Sequence, residues 1–194
     1  SRIKEVEICN HYTKEHFTLR KSEQQSIIPL EKKGWHVVTE KVLLINHATG
    51  EDSAPFTCKS LQSDNGDVVV IPPFPNFCGL PVDIPSLFLW FPLLGTERFG
   101  VNFIFHSKRF YPVEKRNNIM LPGSTPIKQE NGNKNSVVLK EITEVLFAYF
   151  AKDENAKTLI RQMCEVSFPN TSEDKVTCQF YKDMQENFAK SYRT

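Results

Sequence analysis

LQSDNGDVVVI, residues 61–71, sets Asn65-Gly66 between two β-favouring runs. Both central residues of a tight hairpin turn take positive φ, which Asn and Gly enter at low cost. Residues 53–61 and 67–71 are therefore predicted to form a β-hairpin around Asp64-Asn65-Gly66-Asp67. Upstream, Trp35 to Asn46 is rich in Val, Leu and Ile and reads as a strand closed by a turn at Ala48-Thr49-Gly50. Downstream, the proline-rich stretch from Pro72 to Pro85 predicts a long ordered loop, because proline removes the donors a ladder needs.

Two further strands follow from the apolar pattern. Ser86 to Leu94 is a nearly continuous apolar run, and Val101, Phe103 and Phe105 then alternate with Asn102, Ile104 and His106. That period of two predicts a strand with one buried face. Ile119-Met120-Leu121 reads as a short strand, and residues 122–135, rich in Gly, Pro, Asn and Lys, read as a linker loop.

The remainder carries helical periodicity. Ser136 is placed to cap a helix running to about Ala151, with Val138, Leu139, Ile142, Val145, Leu146, Tyr149 and Phe150 on its buried face. Asp153 is placed to cap a second helix, carrying Leu159, Ile160, Met163 and Cys164 and stopping near Phe168-Pro169. Thr171 or Ser172 opens a third, with Val176, Phe180, Met184 and Phe188 on one stripe. Strands followed by helices predict an α+β architecture: a mixed or antiparallel sheet from the N-terminal two-thirds, packed with three C-terminal helices. The organisation expected is a leading segment at 1–34, exposed apart from a strand that the alternation of Val6 and Ile8 with charge allows, a β-rich part at 35–121, the linker at 122–135 and a helical part at 136–194.

Composition narrows the function classes. A net charge of +1 gives no overall basic field of the kind that drives nucleic-acid binding. No run approaches the ~20 apolar residues of a membrane-spanning helix, so no membrane partner is expected. Cys9, Cys58, Cys78, Cys164 and Cys178 are scattered and odd in number, which suits free thiols in a reducing, cytoplasmic setting. The start, Ser1-Arg2-Ile3-Lys4, has no secretory apolar run and no methionine, and reads as an excised piece of a longer protein.

No self-contained active site is legible. There is no GxxxxGK[ST] or GxGxxG phosphate cradle, so this segment alone is not expected to bind ATP. Cys9, His11 and His16 form a Cys/His cluster, but zinc sites usually draw ligand pairs from two halves, and no second half follows in the sequence. No metal is expected, and a surface thiol beside exposed histidines is the simpler reading. A hydrolase assembled from scattered residues such as His36, His106 and Cys58 is a third reading, with a hydrogen-bonded structural role as the simpler account of His106.

The stretch 91–121, FPLLGTERFGVNFIFHSKRFYPVEKRNNIML, orders an apolar strand ending Phe-Pro-Leu, a Gly-Thr turn, an alternating strand and a basic loop ending Lys115-Arg116-Asn117. This order resembles the region just downstream of the ATP-binding domain in sacsin-related, chaperone-like ATPases. These belong to the gyrase, heat-shock-chaperone, histidine-kinase and MutL superfamily. The resemblance implies a transducer-like middle segment with no catalysis of its own, in a parent protein that is an ATPase. It implies that ATP and Mg²⁺ sit in a missing upstream domain of the same chain, which would be the first partner, with a client protein and a homodimer as further partners.

It also implies a role for the basic loop. A cation arriving from the second domain neutralises charge on the terminal phosphate. Arg116, the second basic residue of Lys-Arg-Asn, is the position carried over, with Lys115 as runner-up and Lys108 and Arg109 as members of the same patch. Solvated loop charges with no such role are the competing account. A protein-interaction domain with no nucleotide link is the alternative function.

Overall fold

The structure is a computed structural model that describes residues 5–10, 12, 15–49, 51–52, 56–71, 83–97, 99, 103–151 and 175–193. Its strands are β1 (Glu5–Asn10), β2 (Glu15–Pro29), β3 (Trp35–Asn46), β4 (Glu51–Asp52), β5 (Phe56–Ser63), β6 (Val68–Ile71), β7 (Leu87–Phe88) and β8 (Ile104–His106). The helices described are α1 (Pro126–Phe150) and α2 (Lys175–Arg193). The strands form one sheet in the order β1-β2-β3-β5-β6-β8-β7, with β4 beside β3. Every pairing is antiparallel except β7 with β8, so the sheet is mixed and the fold is α+β. The expected helix from Asp153 to Phe168, the caps at Thr171 or Ser172 and most of the Pro72–Pro85 loop lie outside the described residues. Among those residues, no helix is long and apolar enough to cross a membrane.

The hairpin forms where Asn65-Gly66 predicts it, but with a different turn. Only Gly66 has positive φ, at 87°, and Asn65 does not. Ser63 N–H donates to the Asp67 carbonyl at 2.9 Å and Gly66 N–H to the Ser63 carbonyl at 2.9 Å. These bonds close a three-residue loop, in which one left-handed residue after the turn is enough. The register that follows aligns a row across five strands: Val37 with Leu61, Leu61 with Val69, Val69 with Phe105, and Phe105 with Leu87. This row faces the core, where Leu61, Val69, Leu87 and Phe105 are fully buried.

α1 covers that face. Val138, Leu139, Ile142, Val145, Leu146 and Phe150 are its buried stripe, packed with Trp35, Phe99, Phe103, Phe110 and Ile119, and α2 adds Met184. The stripe is the expected one except for Tyr149, which is half-buried, and the helix starts ten residues earlier than Ser136. Thr125 is the cap, its extended backbone (φ −93°, ψ 148°) followed by Pro126, whose missing N–H and fixed φ suit the first helical turn. Ser136 is inside the helix, its hydroxyl donating to the Gly132 carbonyl at 2.8 Å. The linker expected at 122–135 is therefore largely helical, and its Gly132 and Asn135 are buried.

Two other expectations shift. The leading segment is mostly β-structure: β2 spans fifteen residues and pairs with both β1 and β3, with Arg20 and Ser26 to Pro29 exposed. The apolar run from Ser86 to Leu94 contributes only the two residues of β7 to the sheet, and then turns. Its buried residues are Ser86, Leu87 and Leu93, while Trp90 and Leu94 are exposed.

Candidate functional site

The basic loop leaves β8 at Ser107 and returns to α1 through Leu121. Its first basic residues part company at once. Lys108 is exposed. Arg109 turns inward, donating from Nε to Asp67 Oδ1 at 3.2 Å and from Nη2 to Asp67 Oδ2, and reaching Glu141 Oε2 on α1 at 2.9 Å. Asp67, at the end of the hairpin turn, has a fully buried side chain. It also accepts from Ser107 Oγ at 2.6 Å and Ser63 Oγ at 3.2 Å. Burial pushes the Asp67 carboxyl up, but the hydrogen bonds from Arg109, Ser107 and Ser63 and the Arg109 charge overcome it and hold the group below its ordinary value. Arg109 was expected in a phosphate-facing patch; its guanidinium is instead engaged by two carboxylates of its own chain and ties the hairpin to α1.

The middle of the loop is clamped by a side chain that sequence reading placed in a linker. Asn135 accepts from Tyr111 N–H at 2.8 Å and donates to the carbonyls of Tyr111 at 2.9 Å and Met120 at 2.7 Å. One buried amide thus holds both legs of the loop against α1. Lys134 adds its ammonium over the Tyr111 ring, 5.0 Å from the centroid. Asn135→Ala is expected to cost about 2 kcal/mol, since it strands buried backbone groups. Hydrogen exchange at Tyr111 and nearby amides should rise more than global destabilisation explains; equal protection would remove the clamp.

Beyond the clamp the loop narrows to a turn. Pro112 and Ile119 form a bridge, Val113 N–H donates to the Asn118 carbonyl at 2.9 Å, and Arg116 N–H to the Val113 carbonyl at 2.8 Å. Glu114, Lys115, Arg116 and Asn117 are exposed at the tip. Arg116 has φ of 53°, the one positive value at a non-glycine position among the described residues. That left-handed backbone costs a side-chain-bearing residue about 1–2 kcal/mol, which the surrounding bonds hold in place. Among the described residues neither Lys115 nor Arg116 has an ion-pair partner.

The residues of the hydrolase reading do not meet. His36 pairs with Gln62, Gln62 with Val68 and Val68 with His106, which sets the histidines three strand spacings apart, roughly 14 Å. Cys58 lies four positions along β5 from Gln62, roughly 13 Å away. Burial, and then the Glu40 charge, push the Cys58 thiol up, away from the reactive thiolate. His36 is hydrogen-bonded to Asp64 at 3.0 Å. His106 packs edge-on to Trp90, its ring centroid 6.0 Å away, and burial lowers its pKa despite the opposing Asp67 charge.

A groove of about 520 Å³ runs between α1 and α2, with Leu139, Phe147, Phe180 and Met184 as its apolar lining and Lys140, Glu144 and Asp183 among its charges. Sequence periodicity placed Leu139, Phe180 and Met184 on inward stripes and left Phe147 off them, and it could not see that the stripes leave a recess between them. No family model, no curated protein and no solved structure matches this chain.

Proposed function

We propose that this chain is the coupling segment of a chaperone-like ATPase, passing the nucleotide state of an upstream domain to domain movement or client binding. The observation that carries the reading is Arg116: an exposed cation without an acid partner among the described residues, on a strained turn braced by Asn135 and the Pro112–Ile119 bridge. The similarity of residues 91–121 to the post-ATPase region of sacsin-related proteins supplies the partner for that cation. In this reading ATP and Mg²⁺ belong to the upstream domain, and this chain contributes charge only, with Lys115 beside Arg116 and Lys108 further down the loop. An arginine suits the role because its planar fork grips two phosphate oxygens. The braced backbone of the turn limits how far the cation must move when charge develops opposite it.

The experiment uses the parent protein that this reading requires, with its upstream domain. Arg116→Ala is expected to lower ATP turnover at least about tenfold while nucleotide affinity changes little. Arg116→Gly should do the same without loss of stability, since glycine relieves the left-handed backbone. Unchanged turnover in both variants removes Arg116 from the mechanism, and a parent protein without ATPase activity removes the reading.

The second reading, an interaction domain with no nucleotide link, draws on the groove between α1 and α2. Its apolar lining and mixed charged rim suit an amphipathic segment of a partner. It gains ground if the parent protein neither binds nor hydrolyses ATP.

A further inference from the structure

Away from the core, the β1–β2 hairpin brings metal-ligating side chains of different kinds to one point. Cys9 and His16 are directly opposed across the two strands. Glu7 precedes Cys9 by two residues and so projects from the same face. The candidate ligand atoms of Glu7, Cys9 and His16 all lie within 4.8 Å of one another. Glu7 Oε1 and His16 Nε2 are already hydrogen-bonded at 2.5 Å.

The row continues onto the turn that follows β3. His47 N–H donates to the His16 carbonyl at 2.9 Å, and the two imidazoles stack with centroids 4.0 Å apart. The His47 ring is held in turn by the buried Thr18 hydroxyl, 2.7 Å from its Nε2. Thr18 is the residue opposite Glu7, so the support stands beside the cluster on the same face of the sheet. A ligand imidazole whose plane is fixed by a neighbour loses less freedom on binding, which is how outer groups strengthen metal sites.

We infer that Glu7, Cys9 and His16 form a binding site for a borderline-soft divalent transition-metal ion, with zinc as its representative. The donor set selects the ion: thiolate and imidazole favour zinc and its neighbours, whereas calcium and magnesium take oxygen ligands. Tetrahedral zinc holds S, N and O at about 2.0–2.3 Å, which places ligand atoms about 3.3–3.6 Å from one another. Atoms already within 4.8 Å reach that spacing by small rotations of side chains that are exposed or half-buried. On binding, the ion displaces the hydrogen between Glu7 and His16, which passes to water or to Nδ1, so that a neutral imidazole binds the metal through Nε2 and carries its one N–H on Nδ1. The Cys9 thiol loses its proton to water as the metal–sulfur bond forms. These three ligands leave the fourth tetrahedral position to water or to a further donor. Of the cluster that the sequence showed, Cys9 and His16 meet across the hairpin, Glu7 joins them from the Cys9 strand, and His11 lies outside the described residues.

Titrating the whole chain with Co²⁺, followed by displacement with Zn²⁺, tests the site. One equivalent of Co²⁺ should produce a thiolate-to-cobalt charge-transfer absorption in the near ultraviolet, which Zn²⁺ abolishes. Cys9→Ser should remove the absorption, and Glu7→Gln and His16→Ala should each weaken binding at least about tenfold. Unchanged far-ultraviolet circular dichroism would show that these variants keep the fold. An absorption that survives in Cys9→Ser assigns the metal to another thiol and overturns the inference, as does a wild-type chain that takes up neither ion stoichiometrically.

Discussion

Arg109→Ala is expected to destabilise the chain by about 3–5 kcal/mol, one of the two largest effects anticipated for a single substitution in this fold. The guanidinium is not the buried partner: its side chain is 31% exposed, whereas that of Asp67 is 0% exposed. Removing Arg109 leaves the Asp67 carboxylate with only the hydroxyls of Ser107 and Ser63 as side-chain hydrogen-bond donors. An uncompensated buried charge is far more costly than the net worth of the pair it came from. The double variant Asp67→Asn with Arg109→Ala should therefore lose less than the sum of the two single variants. Equilibrium denaturation measures all three. A loss below about 1 kcal/mol for Arg109→Ala would mean that the pair is a surface interaction and does not lock the hairpin to α1.

The same network sets the response to acid. The folded Asp67 carboxyl is held below its ordinary value, mainly by Arg109 and the serine hydroxyls acting against burial. A depressed folded pKa contributes stability that is fully present above the unfolded value, near 4, and is lost as pH falls through the folded one. Asp67→Asn should flatten the acid limb of the stability curve below about pH 4. If that limb is unchanged, other carboxylates carry the acid sensitivity.

Legibility in the sequence followed the range of the forces involved. The hairpin was readable because Asn65-Gly66 acts within a few residues, and the α1 stripe because a period of 3.6 is visible from Val138 to Phe150. The dihedral detail of the turn was not, since it depends on whether Ser63 pairs with Asp67 or the loop closes earlier. β2 escaped notice because its described second half, Ser26 to Pro29, is exposed at every position and leaves no alternating apolar record. Arg109 looked like its basic neighbours because its partners stand 42 and 32 positions away. Lys115 and Arg116 were found as a pair of exposed charges, but the left-handed backbone that presents Arg116 has no sequence signature at an arginine.

The first third of α1 makes the opposite case, in which sequence propensity misleads because tertiary contact decides, and Gly132 exposes it to test. Gly→Ala inside a helix normally stabilises by about 1 kcal/mol. Here a Cβ on Gly132 would sit 2.3 Å from the Pro122 nitrogen and 2.4 Å from the Leu121 carbonyl carbon. Both are backbone atoms, so no rotamer change relieves the overlap. Either α1 lifts or the returning leg of the basic loop moves, and either motion strains the Asn135 bond to the Met120 carbonyl, 2.7 Å long at present. Gly132→Ala is therefore expected to lose about 3 kcal/mol, the upper range for overpacking, and to reverse the sign that helix propensity gives. Asn133→Ala, one residue on and exposed, carries the propensity gain without the overlap and should be neutral or stabilising. Thermal and denaturant unfolding of the two variants compare them directly. A Gly132→Ala chain as stable as Asn133→Ala would mean that α1 does not lie on Leu121 and Pro122, and that the clamp on the basic loop is not built as described.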